Sequence, residues 1–193
     1  DPLDIPPLYF SCQRCDVYGV DLGEVILDTA KTAHGLRVRQ LVTRSDDAQL
    51  NATGMWARDS NNTITTQLTG KITSPDVGAM LKQFDVSSGI KDSGADIDFD
   101  LAWPNSPFDF SLVDVNGDIA WSLSDGYLTE LSDKGSRILT LFSLNSLVRK
   151  LSLDFRDVFA KGFFYDDMSG TVQIADGRAF TQDTEIDGGA GEI

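Results

Sequence analysis

Apolar and polar residues alternate through much of the chain. In the clearest stretch Ala95, Ile97, Phe99, Leu101 and Trp103 alternate with polar neighbours, among them Asp96, Asp98 and Asp100. Successive side chains of an extended strand point to opposite faces, so this segment predicts a strand with one apolar and one wet face. Ile64, Thr66, Leu68, Gly70 and Ile72 repeat the pattern, as do Ile119, Trp121 and Leu123. A weaker stripe runs through Leu36, Val38 and Val42, with Arg37 and Arg39 opposite, and Leu50, Ala52, Gly54 and Trp56 form another. Phe163 and Tyr165, then Val172 and Ile174, continue it near the end. Turn residues separate the stripes: His34-Gly35, Ser45-Asp46-Asp47, Asp59 to Asn62, Asn116-Gly117, Asp125-Gly126 and Asp176-Gly177. Connections this short join antiparallel neighbours, because a parallel crossover needs a dozen or more residues. The expected fold is mainly β with a few helices (α+β), a long antiparallel meander. Strands of about ten residues would each span roughly 30 Å.

Two segments leave the alternation. Ser74-Pro75-Asp76 reads as a helix start, with Ser74 as N-cap, and Val77, Met80, Leu81 and Phe84 follow at helical spacing. A second short helix is expected from about Arg137 to Arg149, carrying Ile138, Leu141, Phe142, Leu144, Leu147 and Val148. Its apolar residues cover more of its circumference than a helix lying on a sheet needs. A further short turn is expected within Asp154 to Ala160.

The chain has 193 residues, enough for one sizeable core or for a section of a larger repetitive structure. Residues 1–193 read as a single segment, and the final Gly188 to Ile193 look like the beginning of another strand. With 41% hydrophobic and 24% charged residues the chain is ordinary for a folded protein. The net charge of −14 argues against binding nucleic acid or docking electrostatically on an anionic membrane. It leaves lipid handling open, since acyl chains respond to apolar area. No apolar run approaches the roughly 20 residues of a membrane-spanning helix.

Few residues of the chain are arranged for chemistry. Cys12 and Cys15 form a CxxC pair without the helix that activates redox thiols, and His34 is the sole histidine, too few to complete a zinc site. A short-loop disulfide or a pair of inert thiols remains, and the disulfide would need a turn to bring the Cα atoms together. Alternate aspartates on strand 95–103 stand about 6.6 Å apart, too far to share one Ca²⁺ unaided, so they read as a solvated face. Asp114-Val115-Asn116-Gly117-Asp118 begins like a calcium loop but lacks its sixth-position glycine and terminal glutamate. No G-x-S-x-G elbow and no glycine-rich phosphate loop is present. No catalytic residue, metal site or cofactor is implied. The apolar stripe is the remaining candidate, either as the core of a closed sheet or as the lining of a long groove.

The last third of the chain favours the groove. Ser152 to Gly170, containing Phe155-Arg156-Asp157-Val158-Phe159-Ala160-Lys161-Gly162, resembles a stretch near the C-terminus of the YhdP branch of the AsmA-like family. Ile174 to Thr181 and Ile186-Asp187-Gly188 look like that family's next hairpin, and Ser136 to Leu144 like the preceding helix. The resemblance implies a parent anchored in the inner membrane of a Gram-negative bacterium, with most of its mass in the periplasm. It implies a curved, groove-like sheet that moves phospholipid between inner and outer membranes and maintains the outer-membrane permeability barrier. It offers no catalytic residues. On this reading Leu68, Ile72, Ile97, Phe99, Leu101, Trp103, Ile119, Trp121 and Leu123 line the groove, and Leu141 and Phe142 sit at its end. The ligand would be phospholipid acyl chains. The alternative is a structural or interaction module of the cell envelope with a closed core. Open strand edges could also associate with a second copy.

Overall fold

The computed structural model describes residues 1–17, 19–84, 86, 89–129 and 163–188. The helix expected near Arg137–Arg149, with Leu141 and Phe142, and the turn expected near Asp154–Ala160 lie outside the described residues. So does much of the Ser152–Gly170 stretch.

Eleven strands among the described residues form one antiparallel sheet. They are β1 (Tyr9–Val17), β2 (Val20–Thr32), β3 (Gly35–Arg44), β4 (Gln49–Arg58), β5 (Ile64–Ser74), β6 (Ile90–Lys91), β7 (Gly94–Pro104), β8 (Asn116–Leu128), β9 (Phe163–Ala175), β10 (Arg178–Phe180) and β11 (Glu185–Asp187). The order is β1-β2-β3-β4-β5-β7-β8-β9-β10, with β6 beside β8 and β11 beside β9. From β1 to β5 sequence neighbours pair across short connections, as expected of an antiparallel meander. One α-helix, α1 (Val77–Lys82), and a 3₁₀ turn (Pro107–Asp109) interrupt the meander.

Several of the expected features differ in the structure. Asp76 caps α1, its carboxylate accepting from the Ala79 N–H. Ser74 is instead the last residue of β5, opposite Ala95, and its hydroxyl donates to the Asp47 carbonyl at 2.6 Å. Phe84 lies past the end of α1 and is exposed. Asp125-Gly126 does not turn the chain, because Asp125 takes a left-handed φ of 48° inside β8 and pairing with β9 continues. Asn116-Gly117 opens β8; the actual connection from β7 is the longer segment 105–115.

Strand β3 also departs from the expected stripe. Val38 faces Gly54 and Leu41 faces Ala52, so three steps on β3 match two on β4. This bulge inserts one residue and inverts the alternation beyond it. Val42 therefore stands opposite Asn51 and Ile26, on the other face from Val38.

A second bulge lies in β1. Cys12 pairs with Val25 and Cys15 with Gly23, again three steps against two. Shortening the strand in this way, without a turn, leaves the Cα atoms 5.9 Å apart, and Cys12 and Cys15 are joined as a disulfide.

Candidate apolar face

Directly paired residues of an antiparallel sheet point to the same side, so the register defines rows running across the strands. One row is Phe10, Leu27, Leu41, Ala52, Gly70, Phe99, Ile119 and Val172, from β1 to β9. Eight strands at about 4.8 Å spacing give a row roughly 34 Å long. On one side lies Leu50, Ile72, Ile97, Trp121 and Gly170; on the other lies Gly54, Leu68, Leu101, Gly117 and Ile174. These rows contain seven of the nine residues proposed from sequence to line a site. Large and small residues alternate within them, and the Trp121 ring lies 3.2 Å from where a Cβ on Gly170 would stand. A Cβ on Gly70 would collide with the Asn51 carbonyl, so close strand contact requires glycine there.

The remaining two residues fall at the margins, where other elements cover the sheet. At one margin Ala95, Leu123 and Met168 pack with Val77 of α1 and with Tyr165, and Met80, Leu81 and Trp121 lie against this cluster. Tyr165 donates a 2.7 Å hydrogen bond to Ser93 Oγ, which itself donates to the Ser124 carbonyl. Burial raises the Tyr165 pKa, and the bond to Ser93 opposes that shift. At the other margin Trp103 is 5% exposed. Its indole donates to the Ser106 carbonyl at 3.0 Å, and Phe110 meets it edge-on at 5.2 Å. Nearby, Leu36 and Trp56 face each other at the strand ends, and Pro2 packs beside Gly35.

Between these margins Leu68, Ile72, Ile97, Phe99, Leu101, Ile119 and Trp121 are only half-buried. The opposite face is wet: Asp96, Asp98 and Asp100 are exposed. Lys71 pairs with Asp96 at 2.6 Å, and the hydrogen bond to that carboxylate raises the lysine pKa. Gln67 and Thr69 donate to Asp100. An open depression of about 900 Å³ lies on this polar side, bordered by Arg39, Asn51, Lys71, Asp98, Asp118 and Thr171 among others. Among the described residues no group of three or more His, Cys, Asp or Glu is placed to hold a metal ion. No helix among them is long and apolar enough to cross a membrane.

Sequence reasoning missed the 105–115 connection. Phe108, Phe110, Leu112 and Val113 are exposed there, and Val115 is buried. The available signal was Ser106-x-x-Asp109 with Pro107 between, which forms a capping box in the structure.

Over residues 1–193 the chain matches the family described as YhdP protein. It is 31% identical over 184 residues to the intermembrane phospholipid transporter YhdP of Escherichia coli (strain K12). The match covers 95% of this chain and 14% of that protein's length. No solved structure matches the chain. The family model spans the whole chain and the relative 95% of it, and the chain belongs to the YhdP family.

Proposed function

We propose that this chain is a non-enzymatic section of a lipid-transport bridge, holding phospholipid acyl chains on the apolar face. The carrying observation is the half-buried apolar patch on β5, β7 and β8, flanked by better-covered margins. Apolar area this extensive favours an apolar ligand. A lipid leaflet is about 15 Å deep, half the hydrocarbon core, so a 34 Å row exceeds one acyl chain laid across the strands. Such a site needs continuity of apolar surface more than any single side chain, and it needs no catalytic residue or cofactor. The name of the relative supports lipid as cargo. On this reading the parent is an AsmA-like protein anchored in the inner membrane. This section would lie in the periplasm, where an oxidising environment maintains the Cys12–Cys15 bond.

Titration of a fluorescent fatty-acyl probe tests the reading. Leu101→Asp combined with Trp121→Asp is expected to abolish binding. Because Trp121 also leans on the covered cluster, Leu68→Asp with Leu101→Asp is the cleaner pair. Normal binding by a variant with an unchanged circular dichroism spectrum would contradict the lining assignment. Unfolding of the second pair would mark the rows as plain core and favour a closed structural module.

A further inference from the structure

The connection between β7 and β8 presents four large apolar side chains at the rim of the sheet. Phe108 is 93% exposed, Val113 71%, Leu112 64% and Phe110 49%. Exposure of this kind within a single short connection is uncommon for a surface in contact with water alone. The connection is nevertheless firmly built. Asp109 accepts from both the N–H and the hydroxyl of Ser106. Ser106 Oγ accepts from the Phe108 N–H and Ser111 Oγ from the Val113 N–H, while the Ser111 carbonyl accepts from the N–H groups of Asp114 and Val115. The β9–β10 turn backs it, with Gly177 against Val113.

We propose that this loop is a shallow bilayer anchor, with Phe108, Leu112 and Val113 entering the interfacial region of a zwitterionic membrane. Three observations fit a zwitterionic lipid surface. First, the backbone N–H groups of Phe108, Asp109, Val113, Asp114 and Val115 already bond within the loop, which lowers the cost of entering a low-dielectric layer. Second, Phe110 joins the tip to Trp103, so apolar surface runs from the tip to the margin of the sheet's apolar face. Third, no Lys or Arg occurs between Lys91 and Lys134, so the loop carries nothing to attract anionic headgroups. Asp109 limits the depth: its bonds to Ser106 hold its carboxyl below the usual carboxylate range, and it stays ionised between Phe108 and Phe110. The proposal does not depend on the apolar face holding lipid.

Flotation of the 193-residue chain with phosphatidylcholine–phosphatidylethanolamine vesicles tests it. The wild type is expected to float, and added anionic lipid is expected to weaken its binding. Phe108→Ser with Leu112→Ser is expected to lower the partition coefficient about a hundredfold, because interfacial burial of such side chains is worth on the order of one decade each. Phe108→Trp supplies a second readout, a blue-shifted emission on vesicles that is quenched by lipids brominated along the acyl chain. The serine variant should keep its circular dichroism spectrum and its acyl-probe binding, which separates failure of this proposal from failure of the lipid-holding face. Equal flotation of the serine variant, absence of the emission shift, or a wild type that stays off vesicles would overturn the anchor. So would a wild type that self-associates through these residues, which would assign the patch to a second copy of the chain.

Discussion

Leu123 and Leu101 share one face of the same sheet, and the alternation in the sequence presents them identically. Leu123 is 7% exposed, sealed by Ala95, Met168, Tyr165 and Val77 of α1. Leu101 pairs with Leu68 and Gly117 in rows that remain half-buried. Period-2 alternation reports which side of a strand is apolar; a covering element decides whether that side is core or surface. The same sheet thus combines a sealed region with a region whose apolar side chains stay half-exposed.

The largest effect expected from this contrast is on stability. Leu123→Ala should cost about 2–5 kcal/mol in urea unfolding, as for other fully buried leucines. Leu101→Ala should cost only about 1–2.5 kcal/mol, because half of that loss is a return to existing solvent contact. Equal costs would mean that the middle rows are ordinary core. A smaller effect is expected from Tyr165→Phe, which removes a buried hydroxyl and leaves Ser93 its bond to the Ser124 carbonyl. The expected loss is about 0.5–1.5 kcal/mol at constant m-value; none at all would show that the bond does not tie β9 to the covered margin.

The smallest effect lies in the pH dependence of the rim. The Thr171 backbone N–H, and then its hydroxyl, hold the Asp183 carboxyl below its ordinary value, and Ser106 does the same for Asp109. A depressed folded-state pKa gives stability that is present above the unfolded value of about 3.9 and lost as pH falls through the folded value. Carboxyl carbon-13 titrations should therefore show midpoints below about 3.9 for both residues. Midpoints at or above that figure would mean the two bonds do not persist in solution.

Much of this architecture was legible in the sequence because strands with one apolar face carry their own periodicity. Ile64 to Ile72, Ala95 to Trp103 and Ile119 to Leu123 lie on strands as the alternation predicts. What the pattern could not convey were insertions and context. The bulge after Val38 moves Val42 to the opposite face, and no residue type marks it. Ser74 has the chemistry of a helix cap, but its position opposite Ala95 in β5 leaves that role to Asp76. Asp125-Gly126 has turn chemistry, yet the strand absorbs the left-handed residue and continues. Of the candidate site, the shared face was readable; the sealing of Leu123 and Trp103 was not, because it depends on α1 and on the loop carrying Phe110.

The central claim is that the middle rows touch acyl chains. The direct measurement is photolabelling of the chain by a phospholipid carrying a diazirine along its acyl chain, followed by peptide mapping. Labelling should concentrate on peptides containing Leu68–Ile72, Ile97–Leu101 and Ile119–Trp121, and excess unlabelled phospholipid should suppress it. Labelling that avoids these peptides in the folded chain, or that spreads evenly over both faces of the sheet, would contradict the account.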